Sequence, residues 1–344
     1  MNTLRLSTTN EDLEKAGEII INGGLVAFPT ETVYGLGADA LDAEAVRSVY
    51  AAKGRPSDNP MIVHIADALE LEPLIKGGRR SVSTDALKII GTLWPGPLTL
   101  IFPKSDIVPD ATTGGLDTVA IRMPSNETAR RLILAAQRPV AAPSANLSGR
   151  PSPTTAEDVL EDMDGRIDAV IMGEQCDVGI ESTVLDVTGD VPVILRPGII
   201  TREWLSSILG KEVVYDKSLT VRPAEELDPE NGAAESDFKP KSPGMKYKHY
   251  SPKAKVTLID CTEDDFKQKA TELGLVAVRN GQRPAMIDYG DDVRKAAHRL
   301  FADLRELDRQ GYDIIFIRTL EQSGLGFSVM NRMLKSAGYD VVKD

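Results

Sequence analysis

The chain has 344 residues, 42% of them hydrophobic, and its 52 acidic and 40 basic side chains give a formal charge of −12. That length and apolar content suffice for two domains with cores of their own, so the fold needs neither disulfides nor structural metals. The acidic balance argues against a general nucleic-acid binder, whose non-specific affinity comes from clustered Lys and Arg, while leaving room for a local basic groove.

Cys176 and Cys261 lie far apart and outside any CxxC pattern, which excludes a disulfide framework and a cysteine zinc site and fits a reducing compartment. No apolar run approaches the roughly 18 residues that span a bilayer. The opening MNTLRLSTTNEDLEK lacks the apolar segment of a signal peptide. A cytoplasmic, unprocessed protein without membrane association is expected.

Between Asn10 and about residue 210, helical patterns alternate with apolar runs, which predicts an α/β domain. The run from Leu25 to Phe28 gives way to Thr30, Glu31 and Thr32. Asp42 is placed to N-cap a helix in which Val46, Val49 and Tyr50 share a face; Gly54 and then Pro56 end it, so Lys53 falls in the last turn. The segment KGRPSDNP carries Lys53, Arg55, Ser57 and Asn59 on a loop shaped by Gly and Pro, and His64 lies inside the next apolar run. Val119, Ala120 and Ile121 lead into Arg122, and the run from Pro139 to Pro143 leads into Ser144, Ala145 and Asn146. TVLDV and VPVIL flank Thr188, Gly189 and Asp190, which predicts a hairpin followed by Arg196. Apolar runs that stop at polar residues predict a ligand crevice outside the carboxyl ends of strands.

From Lys211 to Lys253 the pattern gives way to Pro, acidic and small residues, too long for a plain loop, and is read as a linker whose end, Lys246 to Tyr250, could close over a nucleotide. A second unit follows. Runs at Val256 to Ile259, Leu275 to Val278 and Ile314 to Ile317 alternate with helical stretches, one carrying Leu300, Leu304 and Leu307, and predict a small Rossmann-like sheet. The expected division is a catalytic domain over 1–210, a linker or lid over 211–253 and a C-terminal domain over 254–344.

Neither GxxxxGK[ST] nor GxGxxG occurs, so bound phosphates would have to be held by side-chain cations. Lys53, Arg55, Arg122 and Arg196 are the four that interrupt or end apolar elements, and charge-assisted hydrogen bonds contribute roughly 1.5 to 3 kcal/mol each. A helix dipole alone would explain Lys53, but its neighbours favour an anion site. Arg122 is expected either to pair with Glu31 or Glu181 or to meet a substrate carboxylate, which its planar guanidinium suits. His64 fits a satisfied core histidine as well as a ligand contact. Ser144 and Asn146 fit a polar turn, and Ser182 an ordinary strand hydroxyl. No GxSxG or HExxH motif is present, and His64, His249 and His298 lie apart.

Taken together, PTETVYGLG, KGRPSDNPMIVHI, LWPGPLTL, VAIRMP, APSANLSG, ESTVLD, LRPG and SPGMKYKHYSP closely resemble, in content and order, the Sua5 branch of the YrdC family, the L-threonylcarbamoyladenylate synthases. The family's KxR and SxN signatures stand here as Lys53 with Arg55 and Ser144 with Asn146. The resemblance implies an open twisted sheet with a concave, positively charged cavity, plus a smaller C-terminal α/β domain. It implies that Thr32, His64, Arg122, Ala142 and Ser182 contact threonine. By the same resemblance Arg55, Asn59, Thr118, Ser144, Ser152 and Arg196 contact the nucleotide, with Asn146 beside them. Lys53 would hold phosphate or bicarbonate, and Lys53 and Arg55 would be the catalytic pair. Tyr247 is the first candidate for the linker residue that closes on the nucleotide; Tyr250 fits nearly as well.

The implied reaction joins L-threonine, bicarbonate and ATP into threonylcarbamoyl-AMP, pyrophosphate and water, with Mg²⁺ carried in by ATP and no protein metal site. The product would pass to a separate transferase acting on adenosine 37 of tRNA, so tRNA contact would be indirect or weak. Two rivals stand beside this reading: an adenylate synthase using carbamoyl phosphate, and a non-enzymatic RNA-binding or ribosome-assembly module.

Overall fold

The computed structural model describes residues 2–219 and 249–343. The first unit opens with β1 (Leu4–Leu6), α1 (Asn10–Ile21), β2 (Val26–Phe28), β3 (Gly35–Asp39), α2 (Ala43–Lys53) and β4 (Ile62–His64). It continues through α3 (Leu71–Leu74), α4 (Thr84–Leu93), β5 (Leu98–Pro103), α5 (Asp110–Thr113), β6 (Thr118–Arg122), α6 (Glu127–Ala136) and β7 (Val140–Ala141). Then come α7 (Ala156–Met163), β8 (Ala169–Ile171), β9 (Thr183–Asp186), β10 (Val193–Arg196), α8 (Arg202–Leu209) and β11 (Val214–Tyr215). The second unit is β12 (Lys255–Asp260), α9 (Glu263–Arg279), β13 (Pro284–Ile287), α10 (Val293–Arg309), β14 (Ile314–Arg318), α11 (Gly324–Ser336) and β15 (Val341–Lys343).

The first unit builds one mixed, 11-stranded sheet in the order β1-β8-β2-β3-β7-β4-β6-β5-β9-β10-β11. Its central strands are buried along their length, so they read as continuous apolar runs rather than as alternating ones. The expected hairpin forms, with β9 antiparallel to β10. The sheet continues past residue 210: Val214 and Tyr215 pair in parallel with β10, a two-residue strand too short to leave a periodic pattern. Tyr215 also stacks on Phe327 of α11, ring centroids 4.4 Å apart.

The second unit is an all-parallel sheet ordered β13-β14-β12-β15. The run from Leu275 to Val278, expected as a strand, is instead the last part of α9. The strand is Pro284–Ile287, an edge strand that opens on proline, where the missing N–H costs no ladder bond. The two units share a core: Val33 and Ile180 of the first pack with Tyr250, Leu300, Phe301 and Met333.

Candidate functional site

A cavity partly open to solvent lies against the large sheet. Ile62 and His64, two residues apart on β4, share one face of the sheet and both line it. Arg122 stands beside His64 in register on β6. Because β7 runs antiparallel to β4, Ala142, Pro143 and Ser144 reach the cavity from the start of β4 rather than its end. The crevice is therefore not confined to carboxyl ends, as a purely parallel sheet would require.

Of the residues singled out from sequence, Thr32, Lys53, Arg55, His64, Arg122, Ala142, Ser144, Asn146 and Arg196 line this one space. The others stand differently. Ser182 is fully buried behind Arg196, and Ser152 behind Glu181. Asn59 is buried beside Arg55, whose guanidinium donates to its carbonyl at 3.2 Å. Thr118 sits at the other end of β6 from Arg122, about 13 Å along the strand. Tyr247 lies outside the described residues, whereas His249 and Tyr250, from the same segment, both line the cavity.

The helix α2 delivers its last residue as the sequence dictates. The Asp42 side chain accepts from the amides of Glu44 and Ala45, and Gly54 ends the helix in the left-handed region at φ 60°. Lys53 is thereby buried, and its ammonium donates to the carbonyls of Ser144 (2.5 Å) and Asn146. These two hydrogen bonds hold the SxN loop against the end of the helix. Burial, then the nearby Arg55, holds its pKa well below the usual lysine range. Within the loop, Ser144 Oγ donates to Asn146 Oδ1 at 2.5 Å, and Asn146 Nδ2 to the carbonyls of Leu147 and Arg150 at 2.8 and 2.9 Å.

Arg122 pairs with Glu31 at 2.7 Å, one of the two expected carboxylates, and its Nη1 donates to Thr32 Oγ1 at 2.9 Å. Burial works against the Glu31 charge, yet the Arg122 guanidinium holds its carboxyl below the usual range. His64 Nδ1 lies 3.1 Å from the Ile62 carbonyl, which can only accept, so the imidazole carries its proton there. Burial, reinforced by Arg122, lowers its pKa to about 3, and the ring is neutral. Arg196, at the end of β10, donates from Nε to the Ser182 carbonyl and from Nη2 to Ser182 Oγ, both at 3.0 Å. Burial brings its pKa down to about 10.

Thr30, one of the polar stops expected at the crevice, also lines the cavity, whereas sequence reasoning passed over Gly35, Arg150 and Glu181 as a wall of it. Arg150 follows APSANLSG directly, so that motif could have been extended by one residue. Tyr250 had only the cation and aromatic interleaving as a signal. It adopts φ 62°, a left-handed conformation rare for a bulky residue, and stacks on Phe301 at 5.1 Å. Among the described residues the cavity wall carries Lys53, Arg55, Arg122, Arg150 and Arg196 against a single carboxylate, Glu181, so this wall is basic within an acidic protein. Among the described residues no group of three or more His, Cys, Asp or Glu is placed to hold a metal ion.

Fold and cavity together define an α/β protein whose pocket gathers side-chain cations and whose sequence has no glycine-rich phosphate loop. The Sua5/YciO/YrdC family, described as "Telomere recombination", matches residues 18–198, and "Threonylcarbamoyl-AMP synthase, C-terminal domain" matches residues 200–338. The chain belongs to this family, as a two-part enzyme of the Sua5 type. The threonylcarbamoyl-AMP synthase of Pyrococcus abyssi is 43% identical over 95% of this chain and 94% of its own length. That of Bacillus subtilis is 39% identical over 99% and 97%. The crystal structure of P. abyssi Sua5 complexed with L-threonine superposes with a TM-score of 0.88 at 41% identity, covering all of both chains.

Proposed function

We propose that this chain is an L-threonylcarbamoyladenylate synthase that joins L-threonine, bicarbonate and ATP into threonylcarbamoyl-AMP and pyrophosphate. The observation that carries the reading is the convergence of Arg122 with three further cations, Lys53, Arg55 and Arg196, on one cavity in a chain whose relatives bear that name. Threonine as substrate is supported by the L-threonine complex of the similar P. abyssi protein.

Chemically, the threonine amine condenses with bicarbonate and releases water, or adds to carbon dioxide and loses a proton, to give a carbamate, and a carbamate oxygen then attacks the α-phosphorus in line as pyrophosphate leaves. The protein's part is positioning and charge stabilisation. Arg122, with Thr32 and His64 beside it, suits the threonine carboxylate; Arg55, Arg196 and the SxN loop suit the nucleotide. Lys53 suits bicarbonate or a phosphate oxygen. Glu181, the lone carboxylate of the wall, already pairs with Arg332 at 3.2 Å, so the residues present do not form a metal cage. Mg²⁺ therefore enters as the ATP complex, keeping waters of its own.

In this reading Tyr250, which lines the cavity, is the aromatic among the described residues placed to cover the nucleotide. The adenylate passes to a downstream tRNA threonylcarbamoyl transferase in the cytoplasm, and tRNA contact by this chain is indirect. The test is pyrophosphate release from Mg·ATP and bicarbonate, with L-threonine present, omitted or replaced by serine. Release that requires threonine is the expected result; release indifferent to threonine, or none from folded protein, would sink the proposal.

A further inference from the structure

The second unit reaches the cavity through an arginine that sequence reasoning did not single out. Arg332 of α11 is wholly buried. Its Nε donates to Glu181 Oε2 at 3.2 Å, its Nη1 donates to the carbonyl of Pro197, and its guanidinium lies 5.9 Å from the centre of the Tyr250 ring. Both Glu181 oxygens are thus engaged, because Ser152 Oγ donates to the other one at 2.6 Å. Arg196, next to Pro197 in the chain and on the same cavity wall, is treated differently. Its contacts are the neutral oxygens of Ser182, and among the described residues no carboxylate lies within 4.0 Å of it.

We propose that Arg332 is a positioning residue: it claims the Glu181 carboxylate as its contact partner and so leaves the Arg196 guanidinium with no carboxylate in direct contact, turned toward the cavity, where it meets the anionic part of the ligand. A buried carboxylate does not stay charged without a partner. Deprived of Arg332, Glu181 would turn to Arg196, the other arginine whose field it feels, and a neutral pair would replace the anion site. Lys335, one turn further along α11, also feels Glu181, but burial pushes its pKa to about 7, so above neutral pH it is a poor substitute. The second unit is then part of the binding chemistry as well as a support. The inference rests on the adenylate-forming reading in naming ATP as the ligand.

The experiment is a thermodynamic cycle on the full chain at pH 8, reading ATP binding by calorimetry and the KM values for ATP and threonine by pyrophosphate release. Arg332→Met is expected to weaken ATP binding by about 10- to 100-fold, the worth of one charge-assisted contact, with the KM for threonine and kcat far less affected. Removing the displaced charge as well, in Arg332→Met with Glu181→Gln, is expected to restore most of that loss. A merely structural arginine would instead impair threonine KM and kcat together with ATP binding, since a loosened core does not single out the nucleotide. Arg332→Lys should fall between wild type and Arg332→Met, because lysine cannot fork to Glu181 and Pro197 together. If Arg332→Met does not fold, Arg332→Lys with and without Glu181→Gln makes the same comparison. Unchanged ATP binding in folded Arg332→Met, or a double variant weaker than the single one, overturns the inference. A wild-type chain that binds no ATP removes the adenylate reading itself, before any variant is compared.

Discussion

His64 shows at one residue how burial sets chemistry. Held between β6 and β7, with its ring edge-on to Phe28 at 6.1 Å, the imidazole cannot recruit water to solvate a charge. Its pKa falls from the ordinary 6.5 to about 3 in the folded chain. Below pH 6.5 the unfolded chain therefore binds a proton that the folded chain refuses, and stability drops as pH falls through that window. Above pH 6.5 the effect is absent. Replacing His64 with Gln removes the titrating group, so the stability gap between wild type and His64→Gln should shift by about 2 kcal/mol in favour of the variant between pH 7 and pH 5. Urea unfolding at the two pH values measures it. A gap that stays constant would mean that His64 is solvated and can be protonated in the folded state.

At the scale of elements, the segment from β9 to β10 brings Ser182 and Arg196 together, and Gly198 makes the return possible. A Cβ on Gly198 would lie 2.5 Å from the Thr183 amide nitrogen and 2.9 Å from the Glu181 carbonyl, so the backbone itself would have to move. Gly198→Ala should cost about 1 to 3 kcal/mol of stability, as overpacking does, and should weaken nucleotide binding with it because Arg196 is two residues away. Calorimetric ATP binding beside a urea melt tests both; a stable variant with wild-type binding would show that the segment can shift freely. The helix α2 and the β9–β10 hairpin were legible because each is written locally, in a cap, a glycine stop or paired β-branched runs. The strand after α9 was not. Leu275, Val276 and Val278 have the composition of a strand but lie half-exposed at the end of the helix, while the true strand begins with proline and shows Met286 to solvent. Edge position, which no local pattern encodes, decided the case. In the same way Glu181 was legible only as a possible partner for Arg122, since its actual partner lies 151 positions along the chain.

At the scale of the whole molecule, the two units are joined by buried charge as well as by apolar contact. Arg305 of α10 has no exposed surface; it pairs with Asp162 of α7 at 2.8 Å and donates to the Pro151 carbonyl at 2.6 Å. Asp162 in turn accepts from the Leu147 amide at 3.1 Å, one residue after the SxN signature, and from Arg150. A line of hydrogen bonds therefore runs from the second unit to the loop on which Lys53 is anchored. Neighbouring Arg309 pairs with Asp158 and Glu161 but is 42% exposed on its side chain, where solvent screens the attraction. Arg305→Met leaves Asp162 with Arg150 and the Leu147 amide but removes a buried ion pair and orphans the Pro151 carbonyl, and should cost about 3 kcal/mol, whereas Arg309→Met removes a solvent-screened cation, leaves Asp158 its bond from the Thr154 amide and should cost about 1 kcal/mol. The Leu147 amide should also lose hydrogen-exchange protection in Arg305→Met alone, since its acceptor is freed to move. Equal effects of the two substitutions, in stability and in exchange at Leu147, would assign the cohesion of the halves to the shared apolar core around Tyr250 and Phe301 and leave the arginines as bystanders.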